Sequence, residues 1–230
     1  MKLSVIIPCF NEEKTLEKIV NQVIVQKELI KEIIIIDDCS TDDSRKIIDQ
    51  LCLKHTFIKA FFKELNEGKG SAIIKGIEIS SGDIVLIQDA DLEYDPSEYQ
   101  KLLRPFFEGN ADVVYGSRFL GGEFVRLHFF WHYLANKLLT FFCNIITNLN
   151  MSDMETGYKL IKRDKLKLIN LKEKSFGIEP ELTIKLAKKK LQFYEVPISY
   201  KGRNYDEGKK IGLKDAFVAA YCIIKYKFID

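Results

Sequence analysis

Ile84-Val-Leu-Ile-Gln-Asp-Ala-Asp-Leu-Glu93 decides how the rest of this chain is read. Its apolar run has the character of a strand buried on both faces of a parallel sheet. Three carboxylates follow at alternate positions: Asp89, Asp91 and Glu93. Open α/β sheets bind ligands just beyond the carboxyl ends of their strands. Hard oxygen donors with few other protein partners suit Mg²⁺ or Mn²⁺ already carrying substrate phosphates. Asp-x-Asp alone also describes a solvated loop after a strand, so its meaning rests on the surroundings.

Working outward, strands and helices alternate. Strands are expected at Leu3–Ile7, Glu32–Ile36, Phe57–Phe62, Asp83–Ile87 and Ala111–Tyr115. Helices are expected at Glu12–Val25, Thr41–Leu53, Lys69–Ile79 and Pro96–Glu108. Such alternation with short loops predicts a mostly parallel, doubly wound sheet with helices on both faces. No linker, low-complexity tract or internal repeat interrupts it, so residues 1–230 are read as one domain.

After about residue 122 the pattern changes. Phe129–Leu149 is long and apolar, but His132, Asn136, Lys137, Asn144 and Asn148 interrupt it. Its length permits a membrane span. Its polar spacing fits a helix buried on one side, or one lying in a membrane interface. Ala216–Ile229 is apolar but short, with Lys225 and Lys227 inside it. Any membrane contact is therefore expected to be peripheral, through amphipathic C-terminal helices.

The net charge of +2 conceals an asymmetry. Residues 1–150 hold 17 Lys/Arg and 22 Asp/Glu, whereas residues 151–230 hold 18 and 11. A basic C-terminal third attracts phosphate or an anionic surface. The five cysteines are scattered without a Cys-x-x-Cys pair, which suits a reduced, intracellular protein. No nucleic-acid-binding module accompanies the basic residues.

Asn66-Glu-Gly-Lys-Gly-Ser-Ala72 approaches two phosphate motifs and matches neither. A P-loop needs glycine where Lys63 stands. A dinucleotide fingerprint from Gly68 needs its third glycine where Ile73 stands. Gly68 and Gly70 nevertheless open a helix whose N–H groups could receive phosphate. Asp37-Asp38-Cys39-Ser40-Thr41-Asp42 offers carboxylates for a base or ribose, with Ser40 or Thr41 as a helix cap. Polar clusters at residues 8–12, 37–42 and 88–93 thus converge on one sheet edge, as a nucleotide–metal site requires. His128 and His132 are four apart, but without a third ligand they read better as core or interface histidines than as zinc ligands. There is no Gly-x-Ser-x-Gly elbow.

Ser4-Val-Ile-Ile-Pro-Cys-Phe-Asn-Glu12, Ile36-Asp-Asp-Cys-Ser-Thr-Asp42, Asn66-Glu-Gly-Lys-Gly70, Gln88-Asp-Ala-Asp-Leu-Glu93 and Gly116-Ser-Arg-Phe119 stand in an order that resembles family-2 glycosyltransferases of the GT-A fold. Asp153-Met-Glu-Thr-Gly-Tyr-Lys159, Phe176-Gly-Ile-Glu-Pro-Glu181, Glu195-Val-Pro-Ile-Ser-Tyr200 and Gly202-Arg-Asn-Tyr-Asp-Glu-Gly-Lys-Lys-Ile211 are similar to the polyprenyl/dolichyl-phosphate sugar synthase branch. The resemblance implies a nucleotide-sugar half at 1–122 and an acceptor half at 123–230. Pro8, Phe10, Glu12, Asp38, Lys69, Gln88 and Ala90 would line the donor pocket. Asp89 and Asp91 would hold Mg²⁺ or Mn²⁺ on the diphosphate, joined by Glu93 where the family often has Gln. Arg118, Arg203 and Lys209 would face donor or acceptor phosphates.

The implied reaction is an inverting transfer of a hexose, from UDP-glucose or GDP-mannose, to a polyprenyl phosphate. A phosphate oxygen is already an anion near neutral pH, so no strong base is needed. A hydroxyl acceptor would need one, with Asp153 and Glu155 the nearest candidates in sequence. Many relatives carry C-terminal transmembrane hairpins, and this sequence stops without one. The expectation is a peripheral enzyme at the cytoplasmic face of the membrane, helped by a membrane-protein partner or self-association. The alternatives are transfer to a soluble saccharide or other hydroxyl, and a nucleotide-sugar-binding regulator without catalysis.

Overall fold

The computed structural model describes residues 1–121, 129–202 and 213–229. Seven strands form one sheet: β1 (Leu3–Cys9), β2 (Ile30–Asp37), β3 (Ile58–Phe62), β4 (Ile84–Ile87), β5 (Val113–Ser117), β6 (Lys159–Lys162) and β7 (Phe193–Pro197). Their order is β3-β2-β1-β4-β6-β5-β7. The β1–β2, β2–β3, β1–β4 and β5–β7 pairs are parallel, while β6 runs antiparallel to β4 and β5. The sheet is therefore mostly parallel, as the sequence predicts.

Eight α-helices accompany the strands among the described residues: α1 (Leu16–Val25), α2 (Ser44–Lys54), α3 (Lys69–Ile79), α4 (Tyr99–Glu108), α5 (Phe130–Thr147), α6 (Arg163–Leu166), α7 (Ile178–Lys188) and α8 (Leu213–Phe228). Alternate strand residues feed two cores. Val5, Ile7, Ile33, Ile35 and Leu86 pack with α1, α2 and α4 on one face. Ile6, Val85, Ile87, Tyr115 and Ile161 pack with α5, α7 and α8 on the other. Burial on both faces is what the unbroken Ile/Val runs require.

Several helices start later than expected. Helix α1 begins at Leu16 because Glu12 turns the chain first: its carbonyl accepts from the N–H groups of Thr15 and Leu16. Ser40 and Thr41 do not cap α2. Ser40 Oγ accepts from Asn11 N–H, and the Thr41 N–H donates to Asn11 Oδ1, so these residues tie the β1 and β2 loops together. Pro96–Glu98 forms a separate 3-10 turn ahead of α4, capped by Asp95.

Helix α5 covers most of Phe129–Leu149 and is buried along one side only. Only Leu139, Thr140 and Cys143 are buried along it. Asn144 turns inward, donating to the Met151 carbonyl and accepting from its N–H at 2.8 and 3.0 Å. The large apolar residues face out. No described helix is long and apolar enough to cross a membrane.

Candidate active site

The chain order passes on from β1 to β2 and β3 in one direction and to β4 in the other, so β1 and β4 flank a topological switch point. Antiparallel β6 brings its first residue, Lys159, opposite Ile87 of β4 and Tyr115 of β5. The carboxyl ends of β1, β4, β5 and β7, and the segment entering β6, thereby share one edge.

Asp89 follows β4 there. Its Oδ1 accepts from Lys69 Nζ at 2.6 Å, and Lys69 lies 3.5 Å from Glu179 of α7. Glu179 also pairs with the fully buried Lys159. Burial alone would pull the Lys69 ammonium down, but Asp89 and Glu179 outweigh it and hold the group above the ordinary lysine range. A Cβ on Gly157 would come 2.5 Å from Asp89 Oδ2, so glycine there makes room for the carboxylate. Asp91 is buried, and its Oδ1 accepts from the Glu93 N–H at 3.1 Å.

The expected trio of metal ligands is not assembled. Glu93 Oε2 accepts from Tyr200 OH at 2.6 Å. Among the described residues, no group of three or more His, Cys, Asp or Glu is placed to hold a metal ion. Glu93 is engaged by an aromatic partner from beyond β7, which sequence spacing does not disclose. The remaining donors, Asp89 beside the space left by Gly157 and Asp91 two residues on, fit a divalent cation delivered on a diphosphate rather than a protein-only cage.

Other expected pocket residues divide by exposure. Phe10 is exposed, and Pro8 and Glu12 are partly so. Ala90 is buried in the core. Gln88 is fully buried: its Oε1 accepts from Tyr99 OH and Tyr158 OH, each at 2.8 Å, so it supports the loop from below. Asp38 is likewise occupied. It accepts from Lys63 Nζ at 2.5 Å and from the N–H groups of Glu67 and Gly68. Its carboxylate braces the 66–70 loop. Two N–H groups at the α3 N-terminus are taken up within the protein. Gly68 N–H points at Asp38 and Ser71 N–H at the Lys174 carbonyl. Gly68, at φ +101°, meets the backbone of Lys174, where any Cβ would lie 2.6 Å from its carbonyl oxygen.

Arg118 follows β5. Its Nε and Nη2 donate to Asp153 Oδ2 and Oδ1, both at 2.7 Å, and the Arg118 N–H also reaches Oδ2 at 3.0 Å. The guanidinium lies 5.2 Å over the Tyr200 ring. Burial lowers its proton affinity, but Asp153 more than restores it, so Arg118 stays charged. Asp153 is wholly buried in this fork. Both of its oxygens are engaged by Arg118. Burial, with Glu179 nearby, pushes the Glu155 carboxyl up to about 7 against the pull of Lys159 and Arg118. Its Oε1 is buried without a hydrogen-bond partner. Arg203, Lys209 and His128 lie outside the described residues. His132 sits on α5 beside the Phe129 ring.

Sequence reasoning missed the Lys69–Glu179–Lys159 relay and the tyrosines beneath the loop. Tyr94 stacks between Tyr158 and Tyr200, at 4.7 and 5.1 Å, and accepts from Gly157 N–H. The signal available was Phe176-Gly-Ile-Glu-Pro-Glu181, where acids stand inside an apolar helix pattern.

This sheet, with its polar switch-point edge, is the architecture of GT-A glycosyltransferases. The glycosyl transferase family 2 model matches residues 4–169, and the chain belongs to that family. It is 27% identical over 241 residues to an uncharacterised protein of Methanocaldococcus jannaschii, covering 98% of this chain and 99% of that one. It is 29% identical over 215 residues to a dolichol-phosphate mannosyltransferase of Pyrococcus furiosus, covering 92% of this chain but 60% of the relative. It is 26% identical over 225 residues to an undecaprenyl-phosphate mannosyltransferase of Micrococcus luteus, covering 92% and 88%. A solved glucosyl-3-phosphoglycerate synthase of Mycobacterium tuberculosis, in complex with Mn²⁺, uridine diphosphate and glucosyl-3-phosphoglycerate, superposes with a TM-score of 0.73. It covers 100% of this chain and 81% of the synthase at 20% identity, a likeness of fold.

Proposed function

We propose that this glycosyltransferase moves a hexose from a nucleotide sugar, UDP-glucose or GDP-mannose, to a polyprenyl phosphate at a membrane surface. The observation that carries the reading is the placement of the acidic Asp89–Asp91 end of β4 and the basic Arg118 end of β5 on one edge, with only β6 between them. The two polyprenyl-phosphate mannosyltransferases named above support the acceptor class.

In this reaction an acceptor phosphate oxygen forms the new bond to the anomeric carbon. The bond from that carbon to the nucleoside diphosphate breaks, its electron pair leaving with the diphosphate. A divalent cation held by Asp89 and Asp91 would supply Lewis-acid neutralisation of that leaving group. Lys69, kept charged by Asp89 and Glu179, adds a fixed positive group beside it. Arg118, aligned by Asp153, orients the incoming phosphate. Arg203 and Lys209 are proposed to assist from outside the described residues.

The apolar faces of α5 and α8 suit work at a lipid surface. Phe130, Trp131, Phe141 and Ile145 on α5 are exposed, as are Phe217, Tyr221, Ile224 and Phe228 on α8, and the two helices pack together. Contiguous exposed apolar surface of this kind marks an interaction site. A hydroxyl acceptor is the second reading, favoured by the Glu155 carboxyl, which burial and Glu179 push up to about 7, the proton affinity of a base.

The deciding experiment incubates the protein with Mg²⁺ or Mn²⁺, radiolabelled UDP-glucose or GDP-mannose, and either undecaprenyl or dolichyl phosphate or soluble sugars. Label in the lipid phase is expected. Label only in soluble sugars rejects the phosphate acceptor.

A further inference from the structure

Residues 153–157 join the two halves of the proposed site. Two residues before Glu155, Asp153 grips Arg118. Two residues after it, Gly157 fits against Asp89 Oδ2 and donates its N–H to Tyr94 OH. Glu155 therefore stands between the group proposed to meet the incoming phosphate and the group proposed to manage the leaving diphosphate. The sugar undergoing transfer must pass through that interval, because its anomeric carbon bonds to one side and then to the other.

The Glu155 side chain is anomalous there. Glu179 is closed by Lys159 and Lys69, and Asp153 by Arg118. Glu155 Oε1 is the one buried side-chain polar atom among the described residues that lacks a hydrogen-bond partner. Buried polar groups are nearly always satisfied, and an exception calls for a missing partner or a role. Both available cations, Lys159 and Arg118, are committed to other carboxylates. The missing partner is thus a hydrogen-bond donor from outside the protein. A hexose presents hydroxyl donors, whereas a phosphate dianion or a diphosphate presents only acceptors.

We infer that Glu155 is a specificity-determining residue of the donor pocket, whose unpartnered Oε1 accepts a hydrogen bond from a hydroxyl of the transferred sugar. This rests on the nucleotide-sugar reading above. A site built to accept a hydroxyl discriminates strongly against a ligand lacking it. The orphan oxygen also makes a cost in the free protein: a carboxylate kept for a ligand destabilises the fold that holds it.

The test is titration calorimetry with Mg²⁺ and no acceptor, using UDP against UDP-glucose and GDP against GDP-mannose. It compares wild type with Glu155→Gln, which keeps one acceptor, and Glu155→Met, which keeps shape and removes both. The expected result is unchanged affinity for the nucleoside diphosphate. Affinity for the nucleotide sugar should fall roughly ten-fold or more in Glu155→Met and less in Glu155→Gln. The melting temperature of unliganded Glu155→Met should match or exceed wild type at pH 8. Parallel loss of diphosphate and sugar-nucleotide affinity, or a lowered melting temperature in both variants, overturns the inference in favour of a structural role. Unchanged donor affinity with turnover reduced below pH 7 overturns it in favour of a base acting on the acceptor. If wild type binds neither diphosphates nor nucleotide sugars, the transferase reading itself fails, and this inference fails with it.

Discussion

Arg118 and Asp153 meet fork to fork, Nε to Oδ2 and Nη2 to Oδ1 at 2.7 Å each, with the carboxylate fully buried. The pair fixes the arginine plane over Tyr200 and leaves the cation no freedom to follow a ligand. Breaking a buried pair strands the surviving charge, which is dearer than never having had the pair. Asp153→Ala is therefore expected to cost about 3 kcal/mol of stability in urea unfolding. Adding Arg118→Met should recover part of that loss without restoring turnover. If the double variant is as unstable as the sum of the singles, the two residues are not coupled as described.

The carboxylates after β4 divide in the same way. Asp91→Ala is expected to lower transfer by roughly 100-fold or more. It should also abolish any Mg²⁺-dependent rise in melting temperature with UDP or GDP. Glu93 accepts a hydrogen bond from Tyr200. Glu93→Gln should keep the metal response and lose about 1 kcal/mol of stability. Equal loss of the metal response in both variants would restore Glu93 as a ligand.

This division marks where sequence stops being a guide. The Ile33–Ile36 and Ile84–Ile87 runs announce buried parallel strands, because their composition and length admit little else. That Asp89, Lys69 and Arg118 stand at the sheet edge was also within reach, since each lies in a motif at a strand or loop end. The destinations of side chains were not. Glu93 meets a tyrosine 107 residues away, and Gln88 meets Tyr158 at a separation of 70. Such pairings depend on antiparallel β6 and on the return of the chain after β7, which strand–helix alternation does not encode. The partners of Asp38 were hidden for the same reason: Lys63, Glu67 and Gly68 lie one strand further on.

The brace under Lys69 makes a sharp glycine prediction. A Cβ at position 70 would stand 2.2 Å from the Glu173 carbonyl oxygen and 2.8 Å from that of Ser175. Backbone cannot step aside as a side-chain tip can. Gly70→Ala should cost about 2 kcal/mol or more and weaken nucleotide binding by displacing Lys69 from Asp89. Gly121→Ala is the control, because among the described residues no non-neighbouring atom lies within 4 Å of its Cβ, although its positive φ of 83° carries a smaller strain. Equal melting temperatures for wild type and Gly70→Ala would dismiss the brace.

Buried Glu32 and half-buried Glu155 give pH dependences of opposite sign. Burial opposes ionisation of Glu32, but Lys59, Ser4 and Ser81 overcome it and lower its carboxyl from 4.5 to about 2. Its stabilisation is present above pH 4.5 and is lost as pH falls towards 2. Glu155 is raised from 4.5 to about 7, chiefly by burial and by Glu179, against Lys159 and Arg118, with Asp153 adding to the rise. Cys143 of α5 also faces it. The folded state then holds a proton that the unfolded state releases. Stability is therefore favoured below pH 4.5 and declines as pH rises to 7. The Glu155→Gln variant should gain on wild type in melting temperature across pH 4.5–7, while Glu32→Gln should lose least near pH 2. A constant Glu155→Gln difference over that range would show that the carboxyl is not raised.

Trp131 is the chain's single tryptophan, and it stands 74% exposed on the outer face of α5. It reports directly on whether that face meets lipid. Phe141 and Ile145 continue the face along α5, with Ile224 and Phe228 exposed on the packed neighbour α8. Burying each such side chain contributes about 1.5–3 kcal/mol, so a few suffice for reversible attachment. Vesicles containing anionic lipid should shift Trp131 emission to the blue and sediment the protein. Phe141→Asp combined with Ile224→Asp should abolish sedimentation while leaving the melting temperature near wild type, since neither residue is buried. Emission unmoved by vesicles would detach this face from the membrane and leave it to another partner. A shift that persists in the double variant would place the lipid contact at the first turn of α5 alone, where Phe130 and Trp131 stand side by side.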